Sequence, residues 1–191
     1  MPQAQRRLLS EAEYLAFEQQ SSSRHEYLAG EIYAMTGGTL RHNRIIGNLH
    51  LALSLILRGK PCQIFFTDVK LRIAATKAYY YPDILVTCSS DRLNLADDAQ
   101  SVDAPILLVE VLSPTTETVD RREKLAAYRQ IPSLQEYVLV RQDVPRVEVF
   151  RRQGDIGWIV MNHGPGDTLE WTSVGLSLPI ANLYEGCEIR V

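Results

Sequence analysis

The chain has 191 residues, 46% hydrophobic and 23% charged, values that suit a globular fold of mixed structure and exclude disorder, collagen and coiled-coil arrays. A chain of this length buries roughly 70% of the surface its unfolded form exposes, so a core can form without metal or disulfide staples. With 20 basic against 23 acidic side chains the net charge is −3, which excludes a strongly basic nucleic-acid coat but not a localised basic groove.

At the N-terminus Arg6 and Arg7 are followed only by Leu8 and Leu9 before Ser10, too little apolar chain for a secretory signal, and a cytoplasmic location is expected. Ser10 with Glu13 makes a capping-box signature, and Tyr14, Leu15 and Phe17 continue it into a helix of about ten residues. His25 to Leu28 and Glu31 to Met35 flank Ala29-Gly30 as a hairpin, with Gly30 at positive φ. From His42 to Leu57, Ile45, Ile46, Leu49, Leu53, Ile56 and Leu57 recur at helical spacing until Gly59 and Pro61 stop the pattern. Strands are predicted at Gln63 to Ile73, Asp83 to Cys88 and Ile106 to Leu112, with a loop from Ser89 to Asp103. The runs Ile84-Leu85-Val86 and Ile106-Leu107-Leu108-Val109 do not alternate, which marks adjacent central strands covered on both faces by helices. A second amphipathic helix spans about Thr118 to Ile131, Pro132 closes it, and the strand Glu136 to Val140 follows. Arg146 to Arg151 and Trp158 to Asn162 are short strands that extend the same sheet antiparallel, and nothing between them and the preceding strand is long enough to be a linker. The whole of 1–191 therefore reads as one domain. No apolar run approaches the roughly 20 residues of a membrane helix. The cysteines, Cys62, Cys88 and Cys187, are odd in number and far apart, which argues against both a disulfide and a structural zinc site.

Glu110 is the most informative residue, because it sits alone within a strand that otherwise reads as buried. Buried carboxylates are costly and persist when paired with a cation or hydrogen-bonded. Asp83 opens the neighbouring apolar strand directly after Pro82, a position where proline is tolerated. Two acids at the ends of adjacent strands can converge on one point, and they repel unless a lysine or a hard divalent cation such as Mg²⁺ or Mn²⁺ lies between them. The same residues also suit an ion-paired core glutamate and a turn aspartate.

Tyr81-Pro82-Asp83-Ile84, Val109-Glu110-Val111-Leu112-Ser113-Pro114, Asp120-Arg121-Arg122-Glu123-Lys124 with Tyr128, and Glu136-Tyr137-Val138-Leu139-Val140 together resemble the bacterial Uma-type restriction-endonuclease family of the PD-(D/E)XK nuclease superfamily. The resemblance runs from about Ser10 to Tyr184 and takes in Glu26 to Met35 and His42. It implies an α/β, restriction-endonuclease-like core of helix, three strands, helix and strand, with a mixed central sheet and an antiparallel C-terminal extension. It also implies that Asp83 and Glu110 are metal ligands. Leu112 stands where the superfamily has a lysine, and Lys124 on the following helix is the substitute; its rival explanation is a surface pair with Asp120 at i, i+4. Glu31 resembles an upstream acidic position of the family, and His42 in the first turn of its helix can orient water or contact phosphate. Asp68, Lys70 and Arg72, spaced by two, face one side of their strand, either solvent or a site wall. Tyr79-Tyr80-Tyr81 suits packing, with base stacking as the alternative.

The expectation is a Mg²⁺-dependent (or Mn²⁺-dependent) endonuclease hydrolysing DNA phosphodiester bonds, with Asp83, Glu110, Lys124, Glu31 and His42 as its site residues and no membrane association. Cutting both strands of a duplex suggests a homodimer. The alternative is an inactive or repurposed nuclease fold that binds nucleic acid or serves in assembly.

Overall fold

The computed structural model describes residues 8–88, 98–114 and 116–189. In α1 (Glu11–Gln20) the capping box forms as read: the Ser10 hydroxyl accepts from Glu13 N, and the Glu13 carboxylate accepts from Ser10 N at 2.8 Å. β1 (His25–Leu28) and β2 (Glu31–Ala34) make the hairpin, whose turn holds Ala29 at φ 48° and Gly30 at φ 107°. α2 (Leu40–Leu57) begins at Thr39, whose hydroxyl accepts from His42 N, and buries Ile45, Ile46, Leu49, Leu53 and Leu57.

The predicted strand from Gln63 to Ile73 is two strands in two different sheets. β3 (Cys62–Phe66) ends and β4 (Lys70–Ile73) begins around Thr67 and Asp68, both left-handed at φ 45° and 49°. Two consecutive positive-φ residues cannot continue an extended ladder, so the chain turns out of one sheet into the other. Asp68 therefore lies in the turn and does not share a strand face with Lys70 and Arg72. β5 (Ala78–Tyr80) and β6 (Ile84–Cys88) follow, then β7 (Ser101–Val102), which falls inside the stretch expected to be loop; 89–97 of that stretch lies outside the described residues. β8 (Leu107–Leu112) precedes a helical stretch in three parts: α3 (Glu117–Val119), a π-helical segment (Asp120–Lys124) and α4 (Leu125–Tyr128). Single π turns inside helices concentrate at functional sites. The chain continues through β9 (Glu136–Arg141), β10 (Val147–Gln153), β11 (Gly157–His163), β12 (Thr168–Trp171), β13 (Leu176–Pro179) and α5 (Ile180–Leu183).

The main sheet has the order β11-β10-β9-β8-β6-β3, antiparallel throughout except for the parallel pair β8 and β9. The two uninterrupted apolar runs lie on β6 and β8, adjacent and interior as expected, but the cover expected to be helical on both faces is shared on one face with a second sheet. The C-terminal strands β10 and β11 extend this sheet antiparallel, while β12 and β13 form a separate hairpin. One face, carrying Ile84, Val86, Leu107, Val109, Val111 and Val138, packs against α2 and against Leu169, Trp171, Leu176 and Leu183 from the C-terminal part. The opposite face, carrying Leu85, Leu108, Leu112, Tyr137 and Leu139, packs against Ala127 and Tyr128 and against Leu71, Ile73 and Tyr80 of the second sheet, β2-β1-β5-β4-β7. Tyr79, Tyr80 and Tyr81 are all buried, so this run packs and offers no face to a stacked base.

The reading of the cysteines is corrected. Cys62 on β3 and Cys88 on β6 are direct cross-strand partners, their Cα atoms are 4.0 Å apart, and they form a disulfide; Cys187 is free. The pairing follows from strand register, which spacing along the chain does not reveal. Among the described residues no helix is long and apolar enough to cross a membrane.

Candidate active site

Side chains on a strand alternate between faces, so Glu110 shares its face with Leu108 and Leu112 and points beneath the helical stretch 117–128. It is 4% exposed, and a carboxylate there demands donors. They come from that stretch: Tyr128 donates its hydroxyl to Glu110 Oε1 at 2.9 Å, and Lys124 Nζ donates to the same oxygen at 3.1 Å. Lys124 Nζ also lies 3.0 Å from Glu26 Oε1 and 3.1 Å from Asp120 Oδ1. The pair with Asp120 exists, but it is buried, which excludes the surface-pair explanation of Lys124. Asp120 is 1% exposed, and its Oδ1 has the Lys124 charge nearby without a directed hydrogen bond. The π segment is anchored by the Tyr137 hydroxyl donating to Asp120 O at 3.1 Å and by Arg121, which donates to both Glu148 oxygens at 2.6 and 2.7 Å.

Asp83 enters from the neighbouring strand. The antiparallel register pairs Ile84 with Val109, and one further step sets Asp83 against Glu110. Asp83 Oδ2 accepts from Val111 N at 2.6 Å and lies 3.2 Å from His42 Nε2, which α2 brings from the opposite face of the sheet. Leu112, where a lysine would stand in the resembled superfamily, is buried among Leu108, Leu139 and Tyr128. The cluster's amine arrives from the helix instead.

Glu31 does not join these groups: it sits on β2, and its carboxylate accepts from the Tyr33 hydroxyl. The hairpin's contribution is Glu26, on β1, which holds Lys124 and also accepts from Tyr81 N at 3.3 Å. Sequence reading passed over Glu26 and Asp120 as individual site residues. For Asp120 a signal existed in its spacing from Lys124; for Glu26 a four-residue strand gave none. Glu136 is another fully buried acid, but it accepts from Arg151 Nε at 2.7 Å and from Ser173 N at 3.0 Å, a structural clamp on a different edge of the fold.

Electrostatics follow from burial. Desolvation pushes the Glu110 carboxyl well above its usual range; Lys124 opposes this, while Asp120, Asp83 and Glu26 add to it. Burial pulls the Lys124 ammonium down, but Glu110, Glu26 and Asp120 outweigh that and hold it well above its usual value. Burial also pulls His42 down, and the hydrogen bond and charge of Asp83 reverse the effect, leaving it raised. Among the described residues no three His, Cys, Asp or Glu side chains stand ready as a metal cage. Four carboxyl groups, Glu26, Asp83, Glu110 and Asp120, outnumber the one lysine and one histidine they surround. Such hard oxygen donors, with Asp120 Oδ1 lacking a directed donor, are compatible in kind with Mg²⁺ or Mn²⁺.

The model of the Uma2 family, described as "Putative restriction endonuclease", matches residues 11–181. The chain belongs to this family. Two uncharacterized proteins of Synechocystis sp. are similar to this Uma2 chain: one is 38% identical over 179 residues, 93% of this chain and 92% of the relative, and the other 37% identical over 155 residues, 81% and 86%. Among solved structures, a nuclease of the DUF820 group from Anabaena variabilis, itself described as putative, superposes with a TM-score of 0.76 at 19% identity, covering 93% of this chain and 98% of that one. That likeness establishes the shared fold.

Proposed function

We propose that this Uma2 protein is a Mg²⁺-dependent (or Mn²⁺-dependent) endonuclease of PD-(D/E)XK type that hydrolyses DNA phosphodiester bonds. One observation carries the reading: a lysine ammonium and a strand carboxylate lie in contact at 3.1 Å in a nearly dry site, beside a second acid that opens the adjoining strand. Asp83 and Glu110 would hold the cation, which when bound supplies Lewis acidity and a water of lowered pKa. Glu110 is oriented for its part by the Tyr128 hydroxyl. Asp83 is held by Val111 N, and its hydrogen bond and charge favour the protonated form of His42, in which the imidazole would contact phosphate as a cation. Lys124 provides fixed positive charge where negative charge grows on the phosphate, and low local dielectric makes such a charge worth several kcal/mol in the barrier. Working on both strands of a duplex is most simply done by a two-fold pair of chains, and the reading includes a homodimer acting in the cytoplasm.

The test is cleavage of supercoiled and linear DNA in Mg²⁺ or Mn²⁺ by the wild type and by Asp83→Ala, with light scattering on the same samples to check for a doubled mass. The expected loss is about 100-fold or more. Equal rates would remove this mechanism, and no cleavage by the wild type would favour the repurposed-fold alternative.

A further inference from the structure

On the outer side of Tyr81 lies a cavity of about 260 Å³, lined by Glu18, Arg24, Asp68, Lys70, Tyr81 and Gln100 among others. Its two acids are already committed. Glu18 accepts from His25 N at 2.9 Å and from the Tyr81 hydroxyl at 2.8 Å, and lies 3.1 Å from His25 Nδ1. Asp68 pairs with Arg24 at 3.2 Å. Lys70 differs: it is 7% exposed, yet among the described residues it has neither ion pair nor hydrogen bond. Its ammonium is not among the buried atoms left without a partner, so it reaches the open space of the cavity, where partial burial pushes it down from its usual value, with Glu18 opposing and Arg24 adding to the effect. An anion seated beside it would offset that desolvation. The volume is below the roughly 300 to 1,000 Å³ of sites for drug-sized ligands, which suits one small charged group and not a whole nucleotide.

The cavity shares a wall with the acidic cluster. Tyr81 gives its hydroxyl to Glu18 in the cavity and its backbone N–H to Glu26 Oε1, the oxygen that holds Lys124. Phosphates recur about every 3.4 Å of axial rise along a strand of duplex, so a backbone engaged at the cluster has further phosphates within reach of adjoining cations. We propose that the Lys70 cavity is a phosphate-binding subsite, and that its occupant is a backbone phosphate of the nucleic acid whose cleaved bond lies at the Glu110–Lys124 cluster. The choice of occupant rests on the nuclease reading above; the subsite itself rests on Lys70.

The test uses the full chain in EDTA, with a fluorescently labelled DNA duplex titrated from 50 to 200 mM salt and inorganic phosphate titrated separately by calorimetry. Lys70→Met is expected to weaken DNA binding several-fold and to reduce the slope of log K against log salt by about 0.9, with Lys70→Arg restoring both. Lys70→Gln replaces Lys70→Met should the latter not fold. If DNA binding is indifferent to Lys70 but wild type binds inorganic phosphate and Lys70→Met does not, the subsite stands with free phosphate as its ligand. If neither titration responds to Lys70→Met, the proposal is overturned. Failure of the nuclease reading shows separately, as absence of Mg²⁺-dependent cleavage by the wild type.

Discussion

Replacing Lys124 by methionine tests the energetics of the cluster in the metal-free protein. The side chain keeps its approximate length, but the ammonium that lies 3.0 to 3.1 Å from Glu26, Glu110 and Asp120 is lost. Were Lys124 exposed, the cost would be about 0–1 kcal/mol. It is 5% exposed, and removing one partner from a buried ion pair costs about 3–5 kcal/mol, because the remaining charges stay desolvated. At about 2–4 °C per kcal/mol for a chain of this size, the melting temperature should fall by roughly 6 to 20 °C. The deficit should also depend on pH. Glu110 is raised in the folded state above 4.5, so its stabilising contribution is complete below that pH and is lost as pH rises through the folded value. Removing Lys124 raises the folded value further, since Lys124 is the group that lowers it. Lys124→Met should therefore be most destabilised at pH 8–9 and recover toward pH 5. Urea unfolding across that range gives the measurement. A loss below about 1 kcal/mol at pH 8, or a deficit that does not shrink on acidification, would refute the reasoning.

Asp83→Asn in EDTA should lower the midpoint of His42, followed by NMR among the four histidines, from above 6.5 to below it, because Asp83 supplies the main opposition to burial. In wild type the stability from His42 is complete below 6.5 and lost as pH rises through the raised value, so the variant should lose that slope; an unmoved midpoint counts against the Asp83–His42 contact. For the Cys62–Cys88 bridge, sequence separation 26, loop-closure entropy gives about 3.5 kcal/mol lost on reduction. Thiol alkylation of the denatured, unreduced chain should add one adduct, at Cys187, and three after reduction; three adducts without reduction would show the bridge absent.

Much of the core was legible because it is written in local pattern. Ile84-Leu85-Val86 and Ile106 to Val109 lack alternation, and only strands covered on both faces can carry such runs. Glu110 stood out against that background, and the apolar stripe read as Leu125, Ala126 and Tyr128 placed its neighbour Lys124 beside the sheet, although the buried alanine is Ala127 and Ala126 is exposed. What escaped depends on register and on rare backbone states. Glu26 sits in the strand His-Glu-Tyr-Leu, whose pattern does not reveal that the glutamate is held against Lys124. Cys62 meets Cys88 only because β3 and β6 pair in one particular register. Thr67 is β-branched and left-handed, a combination no propensity favours, so the break between β3 and β4 left no mark in the sequence.

The π-helical turn from Asp120 to Lys124 bears on how many residues the cluster's helix must hold. A π turn holds one residue more than the α turn it replaces, and Arg122 and Glu123 within it are exposed. Loss of either exposed residue would let the helix close to ordinary winding while removing no buried group. Three steps of an α-helix turn through about 300°, close to what four steps of the wider π turn cover, so the two ends of the segment would keep nearly their present orientation. Asp120 and Lys124 would stand three apart instead of four and still face each other, with Arg121 left on the side of Glu148. The turn is thus a point at which the number of exposed residues can change while the buried contacts on either side of it persist.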